Sequence, residues 1–254
     1  MTNTHFKYAL LMMTLAFAMV SPLAADERFD KANAFYSEGS FREAINSYEE
    51  ILKTGVESPE VYYNLGNAYY RSGSLPQAII NYERALLLAP QNRDVRYNLE
   101  LAYSQTADKI ETVGEFFISR WFALLRSSTD SDKWAVISIV LFVIALVGGF
   151  FYFFSRTTAI RKISFFIAVL FVTGAVVTFV FSYDQKQRLI NRDRAIVFTP
   201  SVTVRSSPDR SGTELFVLHE GTRVTILQTL GEWYEVELND GNTGWMQTSN
   251  VEVI

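Results

Sequence analysis

The chain has 254 residues, a formal net charge of −4, no cysteine and two histidines. This excludes disulfides, a thiol nucleophile and lipid attachment through cysteine, and beyond the first residues it leaves His219 alone for any histidine chemistry. Charge is unevenly spread: residues 26–108 carry 8 basic and 13 acidic groups, 195–254 carry 3 and 8, and 109–194 reverse this with 11 and 6. Two acidic regions exclude a phosphate-gripping nucleic-acid protein, and basic residues around the apolar centre suit anionic lipid headgroups. Taken in order, residues 1–25 read as a secretory leader: Lys7, an apolar centre over 8–20, then Ser21, Pro22, Leu23, Ala24 and Ala25. Leu23 departs from the small residue usual there, so an uncleaved signal anchor is the alternative; both export the chain from Asp26 onward.

Residues 26–105 repeat with a period of 34. Ala32, Phe35, Gly39, Ala44 and Tyr48 return as Gly66, Tyr69, Gly73, Ala78 and Tyr82, and Tyr63, Asn64 and Leu65 as Tyr97, Asn98 and Leu99. Each copy predicts two amphipathic helices around a turn at Gly39 or Gly73, where a left-handed residue costs little. Small residues at 32/66 and 44/78 let the helices approach, aromatics fill the gaps, and Pro90 stops the second helix of its copy. The pattern resembles the tetratricopeptide repeat (TPR), best over 59–92, where Tyr62, Leu65, Gly66, Tyr69, Ala78, Tyr82, Ala85 and Pro90 fall on signature places. The first copy departs at Lys31 and Val56, and Glu100 occupies a small-residue place in the third. About two and a half repeats result, with 94–104 capping the array. The resemblance implies a concave face built from first helices, carrying Asn33, Tyr36, Tyr63, Asn67, Tyr70 and Arg71, with Phe29 and Tyr97 beside them. That face is read as a groove for an extended peptide or partner helix; the alternative is that its asparagines and Tyr70 are ordinary repeat consensus. Phe29 and Asp94 stand where carboxylate-clamping lysines occur in some TPRs, which argues against that ligand.

Residues 106–133 connect the array to the apolar centre. Within them, 114–127 place Phe117, Trp121, Phe122, Leu124 and Leu125 on one broad side, as in a helix lying in a membrane interface or packed on the repeats. Residues 134–154 and 163–183 then form two runs of about 20 residues, each long enough as a helix to span a bilayer. The eight residues between them, 155–162, allow only a tight turn, so the flanking regions lie on one side of the membrane. Arg156, Arg161 and Lys162 suit a cytoplasmic turn, although Lys186, Arg188, Arg192 and Arg194 crowd the other end. The expected topology is a two-span protein of the inner membrane with both outer regions periplasmic.

After a polar continuation over 185–194 the period changes to two. Short strands are expected over 202–205, 215–218, 223–230, 233–238, 244–247 and 251–253, with turns at Ser207-Pro208-Asp209, Gly231 and Asn239-Asp240-Gly241. Some 60 residues of short antiparallel strands suggest a small barrel. Val202–Pro208, Glu220-Gly221-Thr222, Gly231–Val236 and Gly241–Trp245 resemble a bacterial SH3-type domain. Such domains bind peptides or cell-wall material, which makes Trp233 and Trp245 candidate surface residues, each with a competing reading as a fold residue.

The order of parts predicts a multidomain α + β protein: an α-helical TPR array (26–105), an interfacial helix or linker (106–133), a transmembrane hairpin (134–154, turn 155–162, 163–183) and a small all-β SH3-like barrel (195–254). This order resembles the BatE-type TPR/SH3 membrane proteins of the Bacteroides aerotolerance (Bat) operon, most strongly in 116–135 and 195–254. The resemblance implies a subunit of a stress-related inner-membrane complex containing von Willebrand A-type proteins and, indirectly, a MoxR-type ATPase. No catalytic constellation is legible: there is no phosphate-binding loop and no metal-ligand spacing, and Glu49-Glu50 and Glu235/Glu237 read as solvated surface. The expectation is a non-enzymatic scaffold without cofactor or metal, binding proteins and membrane lipid. The alternative is a peptidoglycan-binding module acting through the barrel.

Overall fold

The computed structural model describes residues 23–109 and 117–254. The expected leader lies outside the described residues except for 23–25, and so do 110–116 of the connecting segment. The chain divides into two units, Met1–Glu57 and Ser58–Ile254.

The first unit holds one helical hairpin, α1 (Leu23–Ser37) and α2 (Phe41–Lys53). Gly39 turns the chain between them at φ +80°, a left-handed angle that a side chain would strain. Ala32 and Ala44 are wholly buried where the helices meet. Tyr48 fills the space beside them, and its hydroxyl donates to Asn33 Oδ1 at 2.6 Å.

The second unit opens with the same arrangement, α3 (Pro59–Arg71) and α4 (Leu75–Leu88), succeeded by α5 (Arg93–Ser104). The Ser58 hydroxyl accepts from the Glu60 and Val61 amides, and Pro59 supplies a first-turn residue with no amide to satisfy. Asn92 caps α5 in the same way. Gly73 repeats the left-handed turn at φ +85°, and Tyr82 repeats the tyrosine bond, donating to Asn67 Oδ1 at 2.8 Å. Gly66 shows why this place takes a small residue: a Cβ there would stand 2.7 Å from the Tyr82 ring. Pro90 follows α4 two residues after its end, as its missing amide demands.

Helix α6 (Phe117–Arg126) leads to a long antiparallel pair, α7 (Ser131–Phe154) and α8 (Thr158–Asn191). Both are long and apolar enough to cross a membrane, with mean hydropathy of 2.7 and 2.6 over their most apolar windows. At 1.5 Å per residue α7 is ~36 Å long. The helices meet along a seam of small residues, including Ala145, Gly148 and Ala175, while Leu, Val and Phe side chains point outward. Ser138 donates across the seam to the Ala175 carbonyl at 2.8 Å, and Ser182 to that of Ser131 at 2.8 Å. The connection is shorter than the expected 155–162, because Arg161 and Lys162 already belong to α8. Helix α8 runs beyond the apolar stretch and ends where Arg192 takes φ 44°.

A seven-stranded antiparallel sheet completes the unit: β1 (Arg194–Val197), β2 (Ser201–Arg205), β3 (Glu214–His219), β4 (Arg223–Leu230), β5 (Trp233–Glu237), β6 (Thr243–Gln247) and β7 (Val251–Val253), in the order β3-β2-β6-β5-β4-β1-β7. Strand β1 was not among the expected strands. It pairs with β4 on one side and β7 on the other, so partners distant in sequence turn a short apolar run into a central strand. Val204, Val224, Val236 and Met246 form the middle of the core.

Candidate functional site

Of the residues expected on the first-helix face, Asn33 and Tyr36 belong to the first unit. Asn33 accepts the Tyr48 hydroxyl, and the Tyr36 ring meets Phe41 edge-on at 5.5 Å. In the second unit Tyr63, Asn67, Tyr70 and Arg71 line up along α3. Asn67 Oδ1 accepts both the Tyr82 hydroxyl and Asn98 Nδ2, each at 2.8 Å, and Asn98 Nδ2 also reaches the Tyr63 hydroxyl at 3.2 Å. Gln105 donates to the Tyr70 hydroxyl. Asn98 and Gln105 of the cap therefore join α3 to α5 through the same polar row, a role for which the sequence had no signal beyond the weak third copy. The Asn33 and Asn67 oxygens are both engaged in holding helices together. The surface open to a partner is carried by the half-buried rings of Tyr63 and Tyr70, by exposed Arg71, and by Tyr97, which is 67 % exposed on α5.

On the barrel, Trp233 and Trp245 share the outer face of the sheet. Inward places on β6 go to Gly244 and Met246, and on β5 to Val236, so Trp245 is half-exposed opposite Glu235 and Arg205. Trp233, opposite Gln247, lines a cleft of about 350 Å³ with Arg205, Arg210 and Asn250. Trp245 does not line that cleft. Arg205 is tied to Glu214 at 2.9 Å and to the Gly212 carbonyl at 2.9 Å. The tryptophan, the arginines and the amides suit a ligand with an apolar face and a carboxylate.

The helical and barrel regions, whose contact the sequence leaves open, are joined within the second unit. Arg84 on α4 binds Glu252 of β7 at 2.8 Å and the Val253 carbonyl at 2.9 Å. Beside it in the sequence, buried Glu83 accepts Arg223 of β4 at 3.1 Å and the Tyr103 hydroxyl at 2.7 Å. Burial raises the ionisation of the Tyr103 phenol far above its ordinary value, and the Glu83 charge adds to this. Past α5, in the segment expected as linker, Thr106 is buried and Asp108 accepts three bonds from the barrel: the His219 amide at 2.7 Å, His219 Nδ1 at 2.8 Å and the Thr222 hydroxyl at 2.6 Å. Gly221 is needed here twice over, for its φ of +85° and because a Cβ would stand 2.6 Å from the Thr106 methyl. His219, the histidine left for any such chemistry, is half-exposed and held by Asp108. These contacts join residues more than 100 positions apart, and no local pattern announces them.

At the base of the hairpin, Asp184 binds Arg126 at 2.6 Å and Arg188 at 3.1 Å. Trp134 Nε1 donates to the Arg126 carbonyl at 2.9 Å, and Gln185 donates to the carbonyls of Arg126 and Thr129. The end of α6 is thereby fixed to the start of the apolar pair, with Trp121 and Leu124 exposed. Among the described residues no three His, Asp or Glu side chains gather as for a metal.

Comparison with known proteins agrees with this architecture. Residues 29–95 match the tetratricopeptide repeat family and residues 200–252 the bacterial SH3 domain family. The chain thus carries a TPR region and a bacterial SH3 domain. Such domains serve protein–protein interaction or cell-wall binding. No curated protein matches the chain at a significant level. Among solved structures, one titled "Crystal structure of MamA" aligns with 65 % of this chain and 80 % of its own at 19 % identity and a TM-score of 0.31, too loose a likeness to carry an argument.

Proposed function

We propose that the chain is a non-enzymatic, membrane-anchored scaffold whose repeat face binds a partner protein. One observation carries this reading: the barrel contacts α4 and the segment after α5, and none of its described contacts falls on Tyr63, Tyr70 or Tyr97. The barrel braces the outer helix of the repeat and leaves the first-helix face open, with aromatic rings suited to anchoring a peptide or helix. Arg156 in the closing turn and Arg161 and Lys162 at the start of α8 favour a cytoplasmic turn with the TPR and SH3 regions on the extracytoplasmic side of the inner membrane. A cleavable leader over 1–25 and an interfacial helix within 106–133 fit the same topology. The part order supports a Bat-type identity, with von Willebrand A-type membrane subunits as partners, a MoxR-type ATPase reached only through them, and a role in aerotolerance.

The test is recovery of partners from solubilised membranes by the tagged full chain. Tyr63→Ala with Tyr70→Ala should abolish recovery of a von Willebrand A-type subunit while leaving the circular dichroism spectrum unchanged; undiminished recovery would sink the assignment. The cleft at Trp233 favours a second reading, in which the barrel grips the carboxylate-bearing peptides of peptidoglycan. Trp233→Ala should then release the full chain from isolated cell-wall sacculi, a loss that the repeat variants do not share.

A further inference from the structure

Where α4, α5, the end of α6 and the root of the barrel converge, a cleft of about 380 Å³ opens, far more than a single water needs. Its lining combines apolar Leu86, Leu87 and Pro90 with Arg96, Arg194 and Arg223. Buried Glu83 is committed to Arg223 and to the Tyr103 hydroxyl, and Arg96 donates to the neutral Pro90 carbonyl at 2.6 Å. Glu100 lies exposed on the rim. Among the described residues the Arg194 guanidinium has no hydrogen-bond or ion-pair partner, although it is partly buried and lies beside a second guanidinium. Burial and the neighbouring Arg223 charge both push its ionisation down, with Glu83 and Asp193 only a partial offset. A guanidinium stays charged in any protein setting, so this corner carries positive charge that the described side chains do not neutralise.

The cleft is also placed by the hairpin. Ser127, one of its lining residues, lies between α6 and α7, and the adjoining Arg126 and Thr129 carbonyls are bonded to Gln185, one residue past the Asp184 that closes the apolar run. Arg194 comes three residues after the end of α8. With α7 and α8 across a bilayer, Ser127 lies in the headgroup layer, which extends ~5–8 Å beyond the hydrocarbon on each side, and Arg194, past the ~10 Å of α8 that follows Asp184, stands at the outer edge of that layer.

We propose that this cleft is a binding site for a phosphate-type oxyanion, held by Arg194 and Arg223 with Arg96 at its mouth and supplied by an anionic phospholipid headgroup or by soluble phosphate. The apolar residues lining the cleft suit the glycerol end of a headgroup, and the arginine fork suits its phosphate. The site uses no residue of the repeat face, so its failure and that of the scaffold reading are separable.

The test uses the full chain in phosphatidylcholine micelles, titrated with phosphatidylglycerol or with inorganic phosphate, with the melting temperature as the readout. Phosphatidylglycerol should raise the melting temperature of the wild type and of Arg42→Gln, an exposed change on α2. Arg194→Gln should need about tenfold more lipid for an equal shift, the effect of ~1.4 kcal/mol. A response to phosphatidylglycerol alone identifies a headgroup site; an added response to inorganic phosphate identifies a site open to soluble anions. A wild type indifferent to both, or Arg194→Gln responding like the wild type, overturns the proposal. Should Arg194→Gln fail to fold, Arg96→Gln replaces it, and an undiminished response there overturns the proposal equally.

Discussion

Asp108 concentrates three bonds from the barrel on one carboxylate that is 17 % exposed. Burial alone would raise its ionisation, but the Thr222 hydroxyl and the His219 amide and ring more than offset this and hold it below the ordinary carboxylate range. A lowered value stabilises the fold at pH above the unfolded carboxylate's, and the contribution disappears as pH falls through the lower folded value. The wild type should therefore lose stability below about pH 4, and Asp108→Asn should flatten that part of the profile in acid unfolding monitored by fluorescence. At neutral pH, Asp108→Ala should cost about 1–3 kcal/mol in urea unfolding, because the buried Thr222 hydroxyl and the His219 amide lose their acceptor. Nothing in the sequence around Ala107-Asp108-Lys109 marks this carboxylate, since its partners lie 111 and 114 residues away. Trp233 and Trp245, by contrast, were visible as aromatics on a strand pattern; only the strand register put the first in a cleft and left the second outside it.

At the scale of the helices, two glycines of one repeat make opposite demands. Gly66 is required by space, for a Cβ would meet the Tyr82 ring at 2.7 Å. Gly73 is required by backbone angle, with φ +85° and open space around it. Gly66→Ala should destabilise by about 1–3 kcal/mol through overpacking, and relief by the partner change Tyr82→Leu in a double-mutant cycle would identify the clash as its cause. Gly73→Ala should cost about 1–2 kcal/mol through strain, with no relief from any change at Tyr82. Thermal unfolding of the single variants and of each glycine change combined with Tyr82→Leu distinguishes the two. The spacing of Gly39 and Gly73 made both turns legible, because a left-handed angle is a local property. Helix α8 was legible as an apolar run and a polar continuation, but its end at Arg192 depends on β1 being drawn into the sheet.

For the whole second unit, the union of repeat and barrel governs behaviour. Glu83 is 6 % exposed and pairs with Arg223, 140 residues later. Removing one partner strands a buried charge, so Arg223→Ala should cost about 3–5 kcal/mol, whereas removing both should cost less than the sum. Hydrogen exchange should show β1 and α4 losing protection together in Arg223→Ala; loss confined to the barrel would contradict a shared unit. The spanning pair is tested through the missing cysteines. Asn239→Cys, on an exposed barrel turn, should react with a membrane-impermeant maleimide in spheroplasts, and Thr157→Cys, at the hairpin turn, should not. The reverse pattern would invert the topology.

By itself the sequence determined everything whose cause is local or periodic. The 34-residue period specified paired helices, alternation specified strands, and two uncharged runs specified helices able to span a bilayer, because each depends on neighbours within one or two turns of chain. Only the tertiary structure decided that the helices of the second unit and the barrel pack together, that Asn33 and Asn67 give their oxygens to the tyrosines of their own repeats, and that Arg194 stands in a cleft without a hydrogen-bond or ion-pair partner among the described residues. Those facts depend on charges and hydroxyls more than 100 residues apart, or on two helices of a pair, and such meetings leave no trace in local spacing. Their energies come from desolvation and hydrogen-bond geometry, which exist only once the chain has folded.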